Sequence, residues 1–438
     1  MSEPSVPAVD SGSQGGEPGI GGADFGRFQG HSDRDDLEID TEHCIRCGLC
    51  VTACPVFDEL GWESVTPRGH ANVINAYLDG TLEDSAIVGE NFDLCLKCKQ
   101  CLEPCPTGIE IPNLVLRGME HHHEENGGSL SDLVYAKPRL LNQVGGFFAP
   151  LSNVVANTAP VRKLMEETIG MDSRRPLPHF STSSFTDWFA SHDPEPALGD
   201  LDRDVALYVD CYVDRNYPEI GKAAVRVLER MGASVSLADT GCCGRAALSK
   251  GRIDEAEAKA DAHIEDLVSI AESGTDVVAI EPSCAAMMTT EYPEMYDSAR
   301  VDRFAERTHE LMVYLDRHLD SIGGEFEFDP VEDHVAYHSH CHMKEQDLGP
   351  AAANVLQRIP GLDVDEPIVS CCGMAGSFGY QTEYYDTSLE IGENLFEQIR
   401  ESGGDPMAIG YSCRLQISDG MDTEVDHPIH VVERSTRP

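Results

Sequence analysis

Eight cysteines fall into two runs of one design. Cys44, Cys47, Cys50 and Cys54 stand as C-x2-C-x2-C-x3-C followed by Pro55, and Cys95, Cys98, Cys101 and Cys105 repeat that spacing before Pro106. A C-x2-C step curls the backbone so that successive thiolates converge. Three converging thiolates suit one cube of iron and sulfide, and the fourth, thrown outward by the x3 step and the proline, reaches the neighbouring cube. The expected ligand sets are therefore Cys44, Cys47, Cys50 and Cys105 for one [4Fe-4S] cluster, and Cys95, Cys98, Cys101 and Cys54 for the other. Zinc prefers two pairs of ligands to two runs of four that end in Pro. The intervening stretch, 55 to 94, reads as helical.

The other eight cysteines follow a different rule. Cys211, Cys242, Cys243 and Cys284 are matched by Cys341, Cys371, Cys372 and Cys413 at offsets of 130, 129, 129 and 129 residues. Landmarks at one period mean an internal duplication. Each unit reads as β–α alternation: strands at Val205 to Val209, Val235 to Ala238 and Val277 to Ile280, then at Val335 to Tyr337 and near Met407 to Ile409. A helix with Ile220, Ala223, Ala224, Val227, Leu228 and Met231 on one face follows the first strand; a long helix is expected up to about Ser273, and others from Ala351 and across Leu389, Gly392, Leu395 and Ile399. The cysteines fall at strand ends and helix starts, the rim where α/β sheets place ligands and where helix N-termini favour thiolates. Metal binding, thiol–disulfide chemistry and buried structural thiols are the three readings of this set.

The organisation expected is α+β and multidomain: a disordered acidic leader (1–36), a mostly helical ferredoxin-like domain for two [4Fe-4S] clusters (37–125), a proline-containing connector without sustained period (126–203), and two duplicated α/β cysteine-rich repeats (204–325 and 326–438). Seventy-seven acidic residues against 32 basic ones give a formal charge of −45. Such a surface repels nucleic acid, which is excluded as a partner. The excess is spread along the chain and points to a very salty cytoplasm, where molar salt shortens the Debye length to about 3 Å. No secretory signal is legible at the N-terminus and no apolar run is long enough for a membrane span, so a cytoplasmic location with reduced thiols is expected, which favours metal over disulfides.

Smaller features complete the reading. His338, His340 and His342 alternate around Cys341, and are candidates for proton donation or for tuning a cluster. His121, His122 and His123 read as a solvated helix face. Gly373, Gly376 and Gly379 follow a cysteine pair and do not form a nucleotide-binding glycine loop, and no P-loop occurs; a flavin would belong to a partner subunit. The stretch between Arg139 and Arg162 is uncharged and holds Leu140, Leu141, Val144, Phe147, Phe148, Leu151, Val154 and Val155. It either lies in a membrane interface or packs between the domains.

Together these motifs resemble the iron–sulfur subunits of glycolate oxidase, lactate-utilisation complexes and heterodisulfide reductase. Ala159 to Met171, Arg174-Arg175 to Trp188, Asn216 to Gly232, His338 with Cys341-His342-Met343, and Cys371 to Gly379 are most similar to the iron–sulfur subunits of anaerobic glycerol-3-phosphate dehydrogenases. The resemblance implies an electron-transfer subunit of an oxidoreductase, taking electrons from flavoprotein dehydrogenase subunits to a membrane quinone, peripherally attached to the inner face of the cell membrane. The same role for a 2-hydroxy acid (glycolate or lactate) dehydrogenase, a heterodisulfide-reductase-like thiol–disulfide enzyme, and a docking adaptor are the alternatives. No catalytic residue is assigned. The sequence departs from the group where a C-x-x-C often closes each repeat, since Glu281 and Gly410 stand at the earlier position, and His340 stands where Pro is usual. Four-thiolate clusters, one or two in number, or a vacant repeat are left open.

Overall fold

The computed structural model describes residues 41, 43–296, 298–366 and 371–436; the leader, 1–36, lies outside them. The two cysteine runs are joined by helices Pro55–Leu60, Pro67–Leu78 and Ser85–Asp93, and followed by a long helix, Ile111–Asn126. Pro55, Pro67 and Pro112 sit in the first turn of their helices, where a missing N–H costs nothing.

Each repeat is built on a parallel sheet. Strands β1 (Asp204–Tyr208), β2 (Ser234–Ala238), β3 (Asp276–Ala279) and β4 (Thr308–Glu310) order as β2-β1-β3-β4; β5 (His334–His338), β6 (Asp363–Asp365) and β7 (Asp405–Ala408) order as β6-β5-β7. Among the described residues the second sheet repeats the first, with the single parallel bridge Met407–Asp426 beside β7 where the first sheet has β4. β1 and β3 are buried almost throughout, as parallel strands covered on both faces must be. The amphipathic helix after β1 spans Pro218–Arg230, as its apolar period requires. The single long helix expected up to Ser273 is instead three, Arg245–Leu248, Ile253–Asp261 and Ile264–Glu272; Gly251, at φ 62°, turns the chain between the first two.

The connector is more ordered than its composition suggested, with helices Leu130–Tyr135, Pro138–Phe147, Ala149–Val155, Ala159–Ile169 and Phe185–Phe189. Its Arg175 is wholly buried, donating to Gly379 O at 2.7 Å and Gln416 Oε1 at 2.8 Å and pairing with Asp419 at 2.9 Å. It thereby fastens the connector to the second repeat. The cores are also shared. One apolar cluster joins Ile74, Phe92 and Val115 to Leu267, Met288 and Phe304 of the first repeat. Another joins Val56, Val65 and Leu94 to Phe378 and Ile391 of the second.

Candidate metal centres

The curl demanded by the cysteine spacing is visible in the backbone. Arg46 and Lys97, each the second residue of a first x2 pair, have φ of 56° and 53°, and Gly48 and Lys99, each the first residue of the next x2 pair, have 81° and 61°. Non-glycine residues adopt this region at a cost of about 1 kcal/mol, and both runs adopt it at the same two places. Cys44, Cys47, Cys50 and Cys105 line one cavity together with Cys101. Cys54, Cys95, Cys98 and Cys101 line a second. The fourth cysteine of each run thus faces the first three of the other, and Cys101 belongs to both walls. The second cavity is deep: burial pushes Cys54 up to about 11 and raises Cys98 further. Bare thiolates are disfavoured there, and a bound cation is what such a thiol set accommodates.

A third cavity, of about 190 Å³, lies between the repeats and is lined by Cys211, Cys242, Cys243, Cys284, Cys341, Cys371, Cys372 and Cys413, and also by Cys95 and Cys98. The eight cysteines come from the C-terminal ends of the strands. Cys211 follows β1, Cys284 lies in helix Pro282–Ala286 after β3, Cys341 opens helix Cys341–Glu345 after β5, and Cys413 lies in helix Tyr411–Met421 after β7. Within the first repeat Cys211 Sγ is 3.6 Å from Cys242 Sγ, and Cys243 Sγ 3.2 Å from Cys284 Sγ. Hydrogen bonds from Cys211 and Cys243 hold the Cys242 thiol well below its ordinary range. In the second repeat burial pushes Cys341 up to about 12. No disulfide joins any of the sixteen cysteines. The donor set, soft thiolates crowded in a shielded cavity, fits iron–sulfur chemistry.

The three histidines fall at successive places on the way from strand to helix. His338 ends β5; His340 caps the next helix, its Nδ1 accepting from His342 N at 3.2 Å; His342 lies inside that helix. His121, His122 and His123 are not simply solvated. They are half-buried, with His122 Nε2 2.8 Å from Ser85 O, His121 3.6 Å from Glu125 and His123 3.8 Å from Asp132.

Buried cations that spacing did not single out surround the thiols. Lys97 donates to Phe92 O at 3.1 Å; Lys99 lies 3.3 Å from the Glu291 carboxylate, which Arg245 also meets at 2.5 Å. Glu291 ends a π-helical stretch, Met287–Glu291, a deformation common at functional sites. Burial pushes its carboxyl up, and Arg245 and Lys99 more than offset this, holding it below the usual range. Lys250 pairs with Asp132 at 3.2 Å and donates to Gln381 at 3.2 Å. A lysine between cluster cysteines was the one legible sign of this lining.

The 4Fe-4S dicluster domain model matches residues 40–109, and the cysteine-rich domain model matches 205–289 and 335–418. One of the subunits of the anaerobic glycerol-3-phosphate dehydrogenase of Escherichia coli K12 is 32% identical over 90% of this chain and 98% of its own length. The chain belongs to the family of that dehydrogenase subunit. The glycolate oxidase iron–sulfur subunit of the same strain is 27% identical over 91% of this chain and 95% of its own. One of the subunits of the fumarate reductase (CoM/CoB) of Methanothermobacter marburgensis is 23% identical over 87% and 68%. This member of the glycerol-3-phosphate dehydrogenase family is an iron–sulfur electron-transfer subunit of an oxidoreductase. No helix among its described residues is long and apolar enough to cross a membrane.

Proposed function

We propose that this chain carries electrons from flavoprotein glycerol-3-phosphate dehydrogenase subunits to a membrane quinone, along a file of iron–sulfur centres. The observation that supports this best is the continuity of the three thiol-lined cavities: Cys101 is common to the first and second, and Cys95 and Cys98 to the second and third. In this reading Cys44, Cys47, Cys50 and Cys105 hold one [4Fe-4S] cluster and Cys95, Cys98, Cys101 and Cys54 the other, with further centres on the two repeats. Bound there, each cluster would take up and release one electron. Lys97, Lys99 and Arg245 set positive charge beside these sites, favouring the reduced forms.

The apolar stretch supports a membrane-facing role. Phe147 is 79% exposed, Leu151 63% and Val154 67%, with Leu140, Leu141, Val144, Phe148 and Val155 also open, so they do not pack between the domains. Helix Pro138–Phe147, which opens this stretch, is fixed to the first repeat: Arg139 donates to Val209 O and Gly241 O at 3.0 Å each, and Asn142 to Cys211 O at 2.7 Å. Apolar side chains entering a bilayer interface here would bring Cys211 and Cys242 close to the quinone pool. The exposed stretch supports a peripheral contact with the membrane, and the inner face is the side that the resemblance implies.

Purified anaerobically, the protein should hold at least roughly eight iron atoms, four for each [4Fe-4S] cluster. Cys47→Ser and Cys98→Ser should each remove a different electron paramagnetic resonance signal and slow quinone reduction by the reconstituted flavoprotein complex. A complex that reduces quinone while this chain carries zinc and no iron refutes the proposal.

A further inference from the structure

The two repeats differ at one buried position. His338 closes β5 with 1% exposure, and neither ring nitrogen has a hydrogen-bond partner among the described residues. One of those nitrogens and the sulfurs of Cys372 and Cys413 all lie within 4.8 Å of one another. The residue at the same place in the first repeat, 130 positions earlier, is Tyr208, whose hydroxyl donates to Gly241 O at 2.7 Å. Tyr208 is satisfied by protein; His338 is not. A buried imidazole without a partner is costly, and the atoms next to it are two soft metal ligands.

We infer that His338 supplies a nitrogen ligand to the metal centre of the second repeat, making it a mixed imidazole–thiolate site where the first repeat has thiolates alone. This rests on the reading that the second repeat binds an iron–sulfur centre through its cysteines, with Cys372 and Cys413 among the thiolates and His338 taking the place of one of the other two. An imidazole is neutral where a thiolate is anionic, so it stabilises an added electron; histidine for cysteine raises the potential of two-iron centres in this way. The second repeat also stands next to the dicluster unit, since Cys98 packs against the apolar cluster that holds Cys371. It would be the higher-potential of the two repeat centres and draw electrons out of the dicluster unit.

The test uses the full-length protein, reconstituted anaerobically with iron and sulfide, with natural and with 15N-labelled histidine. The second-repeat centre is identified as the paramagnetic signal that Cys372→Ser abolishes. Pulsed resonance on that signal should show strong coupling to a histidine nitrogen that changes with the label and is lost in His338→Ala but kept in His340→Ala. In His338→Cys the iron content should hold while the midpoint potential falls. A second-repeat signal without histidine coupling, in the unsubstituted protein, overturns the assignment of His338 and leaves the cluster reading standing. Iron content and signals unchanged by Cys372→Ser and Cys371→Ser overturn both, with the dicluster signals intact.

Discussion

The carboxylate of Glu281 accepts from the backbone N–H of Tyr411 at 2.9 Å and from that of Ser283 at 3.3 Å, so one side chain of the first repeat caps a helix in each repeat. A residue that stands in place of a cysteine thus joins the two cysteine-bearing helices across the central cavity. Glu281→Ala should lose both caps, at about 1–2 kcal/mol each, read as a lower midpoint in denaturant. Glu281→Gln retains an acceptor oxygen and should lose less than half as much. Equal losses in the two variants would show that the charge matters and the caps do not.

The other departed position is filled differently. A Cβ at Gly410 would lie 2.4 Å from Cδ2 of His340. Gly410→Ala should therefore destabilise by about 1–3 kcal/mol through overpacking. In the double variant with His340→Ala the loss should fall well below the sum of the single ones. Strict additivity in that cycle would mean the imidazole is not what excludes a side chain at 410.

Glu310 caps the helix Leu311–Leu319 by accepting from Val313 N at 3.0 Å, while its Oε1 is buried without a partner. Burial pushes its carboxyl up to about 8. The folded chain keeps this proton up to about pH 8, whereas the unfolded chain releases it above about 4.3. Over that window the folded state binds more protons, so this group makes stability fall as pH rises and contributes no further change above it. Glu310→Gln keeps the acceptor without the titration. Its advantage over the unsubstituted protein should grow from near zero at pH 5 to roughly 2–4 kcal/mol at pH 8. An advantage that does not vary with pH would place the Glu310 carboxyl in its ordinary range.

Phe147 and Phe148 meet edge to face, their ring centroids 4.9 Å apart, on the exposed apolar stretch. Changing both to Ser should leave melting temperature and iron content unaltered, because neither side chain belongs to a core. Co-sedimentation with anionic vesicles in molar salt should drop several-fold, since charge attraction cannot hold so acidic a chain to a negative surface. Binding that survives the double change would remove this apolar stretch as the membrane contact.

What the sequence disclosed followed its periodic features. Cysteine spacing and the 129–130 residue offset located the thiols at the strand ends where they lie, and the apolar runs marked β1, β3 and β5. β4 and β6 went unread because they are edge strands of three residues, Thr308–Glu310 and Asp363–Asp365, with little apolar surface to declare them. The connector reads as irregular from Pro176, Pro178, Pro194 and Pro196, which do lie outside its helices, while Pro138, Pro150 and Pro160 sit in the first turns of helices that no sustained apolar period announces. The Lys99–Glu291 contact and the closeness of Cys98 to the second repeat depend on how distant segments meet, which no local pattern carries.

The apolar clusters that pass from the dicluster unit into both repeats have a kinetic meaning. Domains that meet through small polar interfaces move relative to each other by default, and a donor–acceptor gap in such a protein opens and closes with that motion. Here the intervals between successive redox sites are set by packed side chains such as Phe92 against the first repeat and Val65 against the second. Tunnelling between them has no conformational gate. If the proposed donor and acceptor hold, turnover should then be limited at the two ends of the file, where electrons enter and leave, and solvent viscosity should slow those encounters while leaving internal transfer untouched.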